Sequence, residues 1–203
     1  MVPKQPAAAL APVTESVVLG GSWVDLEPFA PSNEADVRRL DAIRHSTPNL
    51  GGAAGRRDPQ RWFAPPMVIR SKRSGEAFGL VENGEMIGYP GVAVVLIFID
   101  PATARAGTAM EAFALYVGHV FASGARLVHL EVMAFNKPVL RMLGRIGVKE
   151  QARLRDQVYT AGRFWDVLVF AFDATRFEKI LSRYARMLPG GDRKPAAIGG
   201  RRR

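Results

Sequence analysis

The sequence predicts an α/β fold with a mixed central sheet of about six to seven strands and helices on both faces. An apolar run, Val92–Ile99, is followed by small residues and then by apolar residues at helical spacing from Met110 to Phe121. A second apolar run follows at Leu127–Met133. Because a helix connects the two runs, they are expected to form parallel strands. The flanking segments alternate like antiparallel hairpins, so the sheet should be mixed.

The first half of the chain is expected to contain a disordered start, two helices and an antiparallel meander. Residues 1–16 are rich in Ala and Pro, which is typical of disorder. Asn83-Gly84 is expected to be a two-residue hairpin turn. The other expected elements are a strand at Trp23–Pro28, a helix capped by Ser32 or Asn33, a Gly-rich loop at 47–55, a short helix begun by Asp58-Pro59, and strands at 77–82, 85–89 and 92–99.

The second half should complete the sheet and end in a basic tail. The expected elements are a helix from Gly107 to about Ser123, a helix opened by Asn136 or Lys137-Pro138, a hairpin of 151–159 with 164–172, and a last helix capped by Asp173. Residues 189–203 are expected to be disordered, which leaves 17–188 as one domain. Trp23, Phe164 and Trp165 are expected in the core.

Composition excludes several classes of protein. The chain has 203 residues, of which 48% are hydrophobic, and no cysteine. It therefore has no disulfide framework, thiolate metal site or cysteine nucleophile. The absence of a long apolar run and of a signal-like start argues against a membrane protein or a secreted one, so a cytoplasmic location is expected. The net charge of +9 suits an anionic partner.

The stretch between the two parallel strands has the chemistry of a phosphate site. A strand, a small-residue loop and a helix start place backbone N–H groups and the positive end of the helix dipole together. Gly107 and Ala109 would let a phosphate approach the backbone closely. A tight connection without a ligand is the alternative.

The order of the surrounding motifs resembles the GNAT acyltransferase superfamily, and most closely its branch of ribosomal-protein and small-amine N-acetyltransferases. The resemblance covers about residues 20–188, and it lies in the order of the motifs, since each alone is unspecific. These motifs are Asp100-Pro101, Met110-Glu111-Ala112, and the segments 130–136, 140–148, 152–156 and 162–167.

This resemblance implies an acyl-CoA donor, acetyl-CoA first. No metal is expected, because the chain has no cysteine and its three histidines lack metal-ligand spacing. The superfamily's pyrophosphate loop corresponds to Ala104–Ala109, with Ala104 where Gln or Arg is usual and Arg105 able to supply the charge. The pantetheine arm would pair with the strand edge at Ile97 and Ile99, and Asn136 would bond the arm or cap the next helix. The implied donor-binding residues are Ile97, Ile99, Arg105, Ala106, Gly107, Thr108, Ala109, Met110 and Asn136.

For catalysis, the resemblance implies direct attack by an amine. Leu143 occupies the position where many members carry a tyrosine acid, so the thiol must take its proton elsewhere. The backbone N–H of Ile99 would polarise the thioester carbonyl. Glu131 is the first candidate for a general base, because a charged residue in a central strand is often a site residue. A structural ion pair is the alternative, and Glu82, Glu85 and Asp156 are further candidates.

The acceptor is expected to be a small-molecule amine or a peptide N-terminus, near the Gly-rich loop with Arg56, Arg57 and Trp62. A plain surface loop is the alternative interpretation. Two other functions remain open: a natural-product enzyme that uses a longer acyl chain or an acyl carrier protein, and a non-catalytic acyl-CoA-binding protein. The basic tail lacks interleaved aromatics, so no specific nucleic acid is expected. The assembly is open between a monomer and a homodimer.

Overall fold

The computed structural model describes residues 17–46, 57–58, 63–104 and 107–187. The strands are β1 (Leu19–Gly20), β2 (Val24–Pro28), β3 (Arg57–Asp58), β4 (Met67–Ser71), β5 (Ala77–Met86), β6 (Val92–Ile99), β7 (Leu127–Met133), β8 (Ala152–Thr160) and β9 (Arg163–Phe172). The helices are α1 (Glu34–Ser46), α2 (Thr108–Ala122), α3 (Lys137–Arg145) and α4 (Ala174–Met187).

These strands form one mixed sheet, as predicted. Eight of the described strands lie in the order β1-β2-β4-β5-β6-β7-β9-β8, and β3 pairs with β5 outside this path. β6 and β7 are parallel, and the other described pairs are antiparallel. The sheet exceeds the expected strand number because β1 and β3, of two residues each, and β4 carry too little pattern to be recognised.

The predicted turn at Asn83-Gly84 is wrong, because both residues lie inside the continuous strand β5. Long-range contacts explain the difference. The buried Asn83 side chain accepts from Phe63 N at 3.0 Å and donates to Ala64 O at 2.8 Å and Tyr116 Oη at 2.6 Å. Gly91, whose φ is 79°, lies in the turn that follows β5. The short helix expected to begin at Asp58-Pro59 is not tested, because residues 59–62 lie outside the described residues; Arg57–Asp58 itself is a strand.

Helices cover both faces of the sheet. Leu40 and Ile43 of α1 pack with Leu80, Val94 and Leu96 on one face, which we call the α1 face. On the opposite face, apolar residues of α2, α3 and α4 share one core cluster. Four aromatic rings of α2, β9 and α4 pack in edge-on, tilted or stacked pairs within that cluster: Phe113, Phe121, Phe172 and Phe177. None of the described helices is long and apolar enough to span a membrane.

Three aromatic residues expected in the core lie elsewhere. Trp23 is 44% exposed and Phe164 is 60% exposed. Trp165 is half-buried and contacts Phe135. Trp23 lies between β1 and β2, and the other two lie at the tip of the β8–β9 hairpin. Both places are connections between strands at the edges of the sheet, where apolar side chains stay partly in solvent.

A carboxylate joins the β1–β2 connection to the start of α2. Glu111 Oε1 accepts from Ser22 N at 2.6 Å, and its Oε2 accepts from Trp23 N at 2.8 Å and Val24 N at 3.1 Å. A Cβ added to Gly21 would lie 2.6 Å from Glu111 Cδ, so a side chain at Gly21 would displace this contact. The two segments are 87 to 89 residues apart in sequence, and Glu111 fixes Trp23 beside Gly107.

Candidate active site

The two parallel strands separate in the middle of the sheet. β6 pairs with β7 only at Val92–Val94 against Leu127–His129. β6 then continues to Ile99 along β5, and β7 continues to Met133 along β9. A gap therefore opens between the carboxyl-terminal halves of β6 and β7, with a strand edge on each side.

Backbone hydrogen bonds show which residues face this gap. Asp100 N donates to Phe78 O at 2.9 Å, so the even-numbered residues of β6 point their backbone groups toward β5. Ile97 and Ile99 therefore direct theirs toward the gap, as the expected binding of an arm requires. Across the gap, Ala134 N donates to Asp166 O at 2.9 Å. The same alternation turns the backbone of Glu131 and Met133 into the gap.

The start of α2 lies beyond the end of β6. Asp100 begins this connection: its carboxylate accepts from Ala102 N at 2.9 Å and Thr103 Oγ1 at 2.7 Å. These bonds, the one from Thr103 first, lower the pKa of Asp100 below its usual value. Gly107 is the N-cap residue, with φ 95° and no side-chain cap. Arg105 and Ala106, both predicted to bind the donor, lie outside the described residues.

Two aromatic side chains flank Gly107. A Cβ built there would lie 3.1 Å from Trp23 Cζ3 and 3.2 Å from Tyr184 Oη, so only glycine fits both the space and the left-handed backbone. Tyr184 Oη donates to Gly107 O at 3.4 Å. Burial, and then the nearby Glu111 carboxylate, raise the pKa of Tyr184. Sequence patterns place Tyr184 on the apolar face of α4, and they carry no signal for this long-range contact.

Gly107 and the first turn of α2 belong to the predicted phosphate loop. Thr108, Ala109 and Met110 form the first turn of α2, and the N-cap position supplies no side-chain oxygen to it. Backbone N–H groups at a helix start are donors suited to an anionic ligand. The start of α2 thus lies at the open end of the gap, and phosphate binding there remains a prediction.

Asn136 follows β7 at the same end of the sheet. Its Oδ1 accepts from Val139 N at 3.5 Å, which makes Asn136 the N-cap residue of α3. Its backbone N donates to Met133 O at 2.9 Å. The capping role is therefore present. A contact with the donor remains a prediction, which this position near the gap favours.

Among the carboxylates considered as bases, Glu131 borders the gap. Its side chain is 1% exposed, and its Oε1 lies 3.8 Å from His129 Nε2 on the α1 face. Glu85 Oε1 accepts from Gly91 N at 2.7 Å, which gives Glu85 a structural role in the turn after β5. Glu82 is buried on β5, away from the gap, and Asp156 is exposed in the β8–β9 hairpin. The described residues contain no group of side chains that could hold a metal ion.

The tyrosine position on α3 is apolar in the structure too. Leu143 is 3% exposed and belongs to the core cluster with α2 and α4. It cannot donate a proton. Tyr89 and Tyr159 are exposed at 61% and 65%.

Most of the predicted acceptor segment lies outside the described residues, including Arg56 and Trp62, and so does the side chain of Arg57. Contacts place the chain at two points, Arg57 and residues 63–65. Arg57 pairs with Met86 in the sheet. At the other end, Asn83 and Tyr116 bond the backbone of 63–65. Both anchors are on or beside β5, so the segment between them begins and ends next to that strand.

Comparison with known proteins gives structural neighbours only. No family model and no curated protein matches the sequence. A GCN5-related N-acetyltransferase from Brucella melitensis superposes with a TM-score of 0.63 at 20% identity, covering 92% of this chain and 91% of that one. A GNAT-family protein from Chromobacterium violaceum gives 0.60 at 20% identity, covering 88% and 100%.

A third neighbour contains a coenzyme A derivative. Mycobacterium smegmatis RimJ in complex with CoA-disulfide superposes with a TM-score of 0.59 at 19% identity, covering 82% of this chain and 91% of that one. All three neighbours span most of the chain, and the strand order with its central gap agrees with the resemblance noted from the motifs. The chain therefore has the GNAT fold.

Proposed function

We propose that this protein is a GNAT-type N-acyltransferase that transfers an acyl group from acyl-CoA, acetyl-CoA first, to a primary amine. The observation that carries the proposal is the gap between β6 and β7, which opens after Val94 and has the start of α2 at its end. An extended arm can add to a strand edge by main-chain hydrogen bonds. A pyrophosphate at the end of that arm would then meet the α2 N-terminus.

In this proposal the chain's own groups mainly bind and orient. The edge of β6 at Ile97 and Ile99 holds the arm, and the N–H of Ile99 donates to the thioester carbonyl oxygen. Amine attack then proceeds in one cleft, where the ordering of both reactants supplies much of the rate. CoA supplies the activated thioester and leaves as its thiol or thiolate.

Glu131 is proposed to take the proton of the attacking amine through water. Its carboxylate lies on β7, whose backbone at this residue faces the gap, and it is almost fully buried beside His129. A primary amine whose ammonium form has a pKa near 10 is protonated at neutral pH and cannot attack until it loses that proton. A carboxylate that accepts the proton through water therefore accelerates the step. Leu143 cannot protonate the departing sulfur. The thiolate is a tolerable leaving group without a tyrosine acid, and it can take a proton from water or from the product ammonium.

Titration calorimetry with CoA, acetyl-CoA and longer acyl-CoAs tests donor binding directly. Release of free thiol from the same thioesters, with a panel of primary amines, tests transfer. We expect acetyl-CoA to bind and thiol release to depend on the amine. Binding without amine-dependent release would instead support a non-catalytic acyl-CoA-binding protein. A strong preference for long chains or for carrier-bound acyl groups would change the donor assignment.

A further inference from the structure

An arginine lies over a tryptophan ring at the tip of the β8–β9 hairpin. The guanidinium carbon of Arg163 lies 3.6 Å from the ring centroid of Trp165. Trp165 is fixed in turn, because its Nε1 donates to Thr160 O at 3.2 Å and its ring contacts that of Phe135 edge-on, with centroids 5.3 Å apart. A cation stacked on tryptophan has few alternative orientations, so its N–H groups remain preorganised for a ligand.

The charge of Arg163 is not neutralised within the described residues. Its side chain is exposed and makes no ion pair there. The contrast is Arg153 on the same hairpin, which contacts Glu150 at 2.8 Å and Asp166 at 3.3 Å. Arginine presents a planar fork of donors that matches a carboxylate. An arginine that is oriented and lacks an acidic partner is a suitable carboxylate receptor.

Arg163 lies on the face of the sheet that holds the proposed base. Met133 pairs with Val167, and the ring contact of Phe135 with Trp165 continues this register. Since side chains alternate along a strand, Glu131 and Arg163 both point to the α1 face, and the ring of Phe135, in the turn after β7, contacts Trp165 there. Val167 lies opposite Met133, the residue of β7 at the open end of the gap. Arg163 is four residues from Val167, or about 13 Å along the strand. The arginine is therefore within reach of a short extended chain whose amino end lies at the gap.

We propose that Arg163 determines acceptor specificity by binding a carboxylate, and that the acceptor is a peptide with an acidic side chain about three to five residues from its reacting N-terminal amine. This proposal rests on the proposed acyl transfer. Asn136 follows Phe135 directly, so the receptor and the mouth of the donor gap share one wall. The chain's overall charge of +9 favours the same partner, since an acidic peptide would be attracted to it.

The test uses two heptapeptides with amidated carboxyl ends, identical except for Glu or Gln at the fourth residue. We expect kcat/KM of the wild-type protein to be about tenfold higher for the Glu peptide, through a lower KM, because the added contact is one charge-assisted pair. Raising the salt concentration should reduce the preference. Arg163→Gln should abolish it, and Arg163→Lys, which loses the planar fork, should restore only part of it.

Arg126→Gln is the matched control. Arg126 is an exposed arginine immediately before β7, at the end of that strand away from the hairpin, so its loss should leave the preference unchanged. Moving the Glu along the peptide should give an optimum between the third and fifth residues. Retention of the preference in Arg163→Gln, or its absence in the wild-type protein, would overturn the proposal.

Peptide binding to the CoA-saturated protein, measured by calorimetry, separates this proposal from the proposed function. If CoA does not bind, the donor proposal fails, and titration of both peptides into the protein alone still tests Arg163. If CoA binds and the Glu peptide binds about tenfold more tightly than the Gln peptide, the receptor is supported whether or not turnover is observed. Equal binding of both peptides contradicts it.

Discussion

Val94 of β6 and His129 of β7 are the last two residues that face each other before these parallel strands separate. Beyond them each strand keeps its outer partner, β5 for β6 and β9 for β7. The gap is therefore part of the sheet's register and does not depend on a loop movement. Two edges that remain open within a sheet are unusual, because unpaired N–H and C=O groups invite an added strand.

Gly107→Glu should abolish binding of CoA. The new side chain would meet Trp23 and Tyr184 and would place a carboxylate where the phosphate is expected. Like charges at a helix start repel, so we expect a loss of at least a hundredfold in affinity, measured by titration calorimetry.

Gly124→Glu is the control for backbone strain. Gly124 follows α2 with φ 99°, close to the 95° of Gly107, and has open space around it. Both variants force a side chain into the left-handed region, and only one of them is at the proposed phosphate site. Equal CoA affinity for wild type and Gly107→Glu would place the donor elsewhere.

Asn83→Ala should strongly destabilise the fold. It removes the partner of Phe63 N, Ala64 O and Tyr116 Oη in a fully buried place. Buried polar groups that lose their partner each cost free energy, so we expect the free energy of unfolding to fall by about 3 kcal/mol in urea titrations.

Asn33→Ala is the comparison for that variant. Asn33 Oδ1 accepts from Asp36 N at 3.2 Å at the exposed start of α1. Losing such a cap costs about 1 kcal/mol. If Asn83→Ala is no more costly than Asn33→Ala, the buried amide contributes little and the anchoring of 63–65 has another cause.

Stability should fall in mild acid because of His119. Burial lowers the pKa of this half-buried histidine below its ordinary value of 6.5, and its Nε2 has no hydrogen-bond partner among the described residues. The folded state therefore disfavours the proton that the unfolded state accepts. The stabilising contribution is complete above about pH 6.5 and is lost as the pH falls through the folded pKa.

His119→Leu should remove this dependence. Between pH 8 and pH 5 the melting temperature of the wild-type protein should decrease more than that of the variant. The comparison at pH 8, where the histidine is neutral in both states, controls for the change in packing. If the melting temperatures of the wild-type protein and the variant decrease equally across this range, other groups determine the acid sensitivity.

Glu131→Gln should lower kcat about a hundredfold with a small amine, as expected for loss of a general base. The wild-type profile of kcat/KM should rise with pH as the amine deprotonates and should not fall steeply before about pH 9.5, because no tyrosine acid is required. A descending limb that Tyr159→Phe or Tyr89→Phe removes would reveal a relocated acid. A larger loss in Glu82→Gln than in Glu131→Gln would assign the base to β5.

Local patterns were sufficient for the central unit of the fold. The limits of β6 and β7 agree with their apolar runs, and Asn136 and Asp173 cap the helices that they were expected to open. In these segments periodicity, capping residues and glycine all favour the same structure. The prediction of a parallel pair followed from the helix between the strands and is confirmed.

Segments determined by distant contacts were not predictable in this way. Asn83-Gly84 has the composition of a turn, but the Asn83 side chain bonds a backbone carbonyl 19 residues away and a side-chain hydroxyl 33 residues away, and both residues lie in a strand. The site shows the same limit. The alternation of β6 identified Ile97 and Ile99 as facing the gap only together with a family resemblance, and no local pattern predicts that Trp23 and Tyr184 meet at Gly107.

The bonds from Ser22, Trp23 and Val24 to Glu111 have a consequence for how the native state opens. The acceptor for these three amides belongs to α2, so they cannot exchange their hydrogens with solvent until the β1–β2 connection leaves that helix. A segment near the beginning of the chain thus shares a cooperative unit with a helix that starts in its middle. Slow amide exchange at these positions would report the integrity of the α2 start without any ligand or assay.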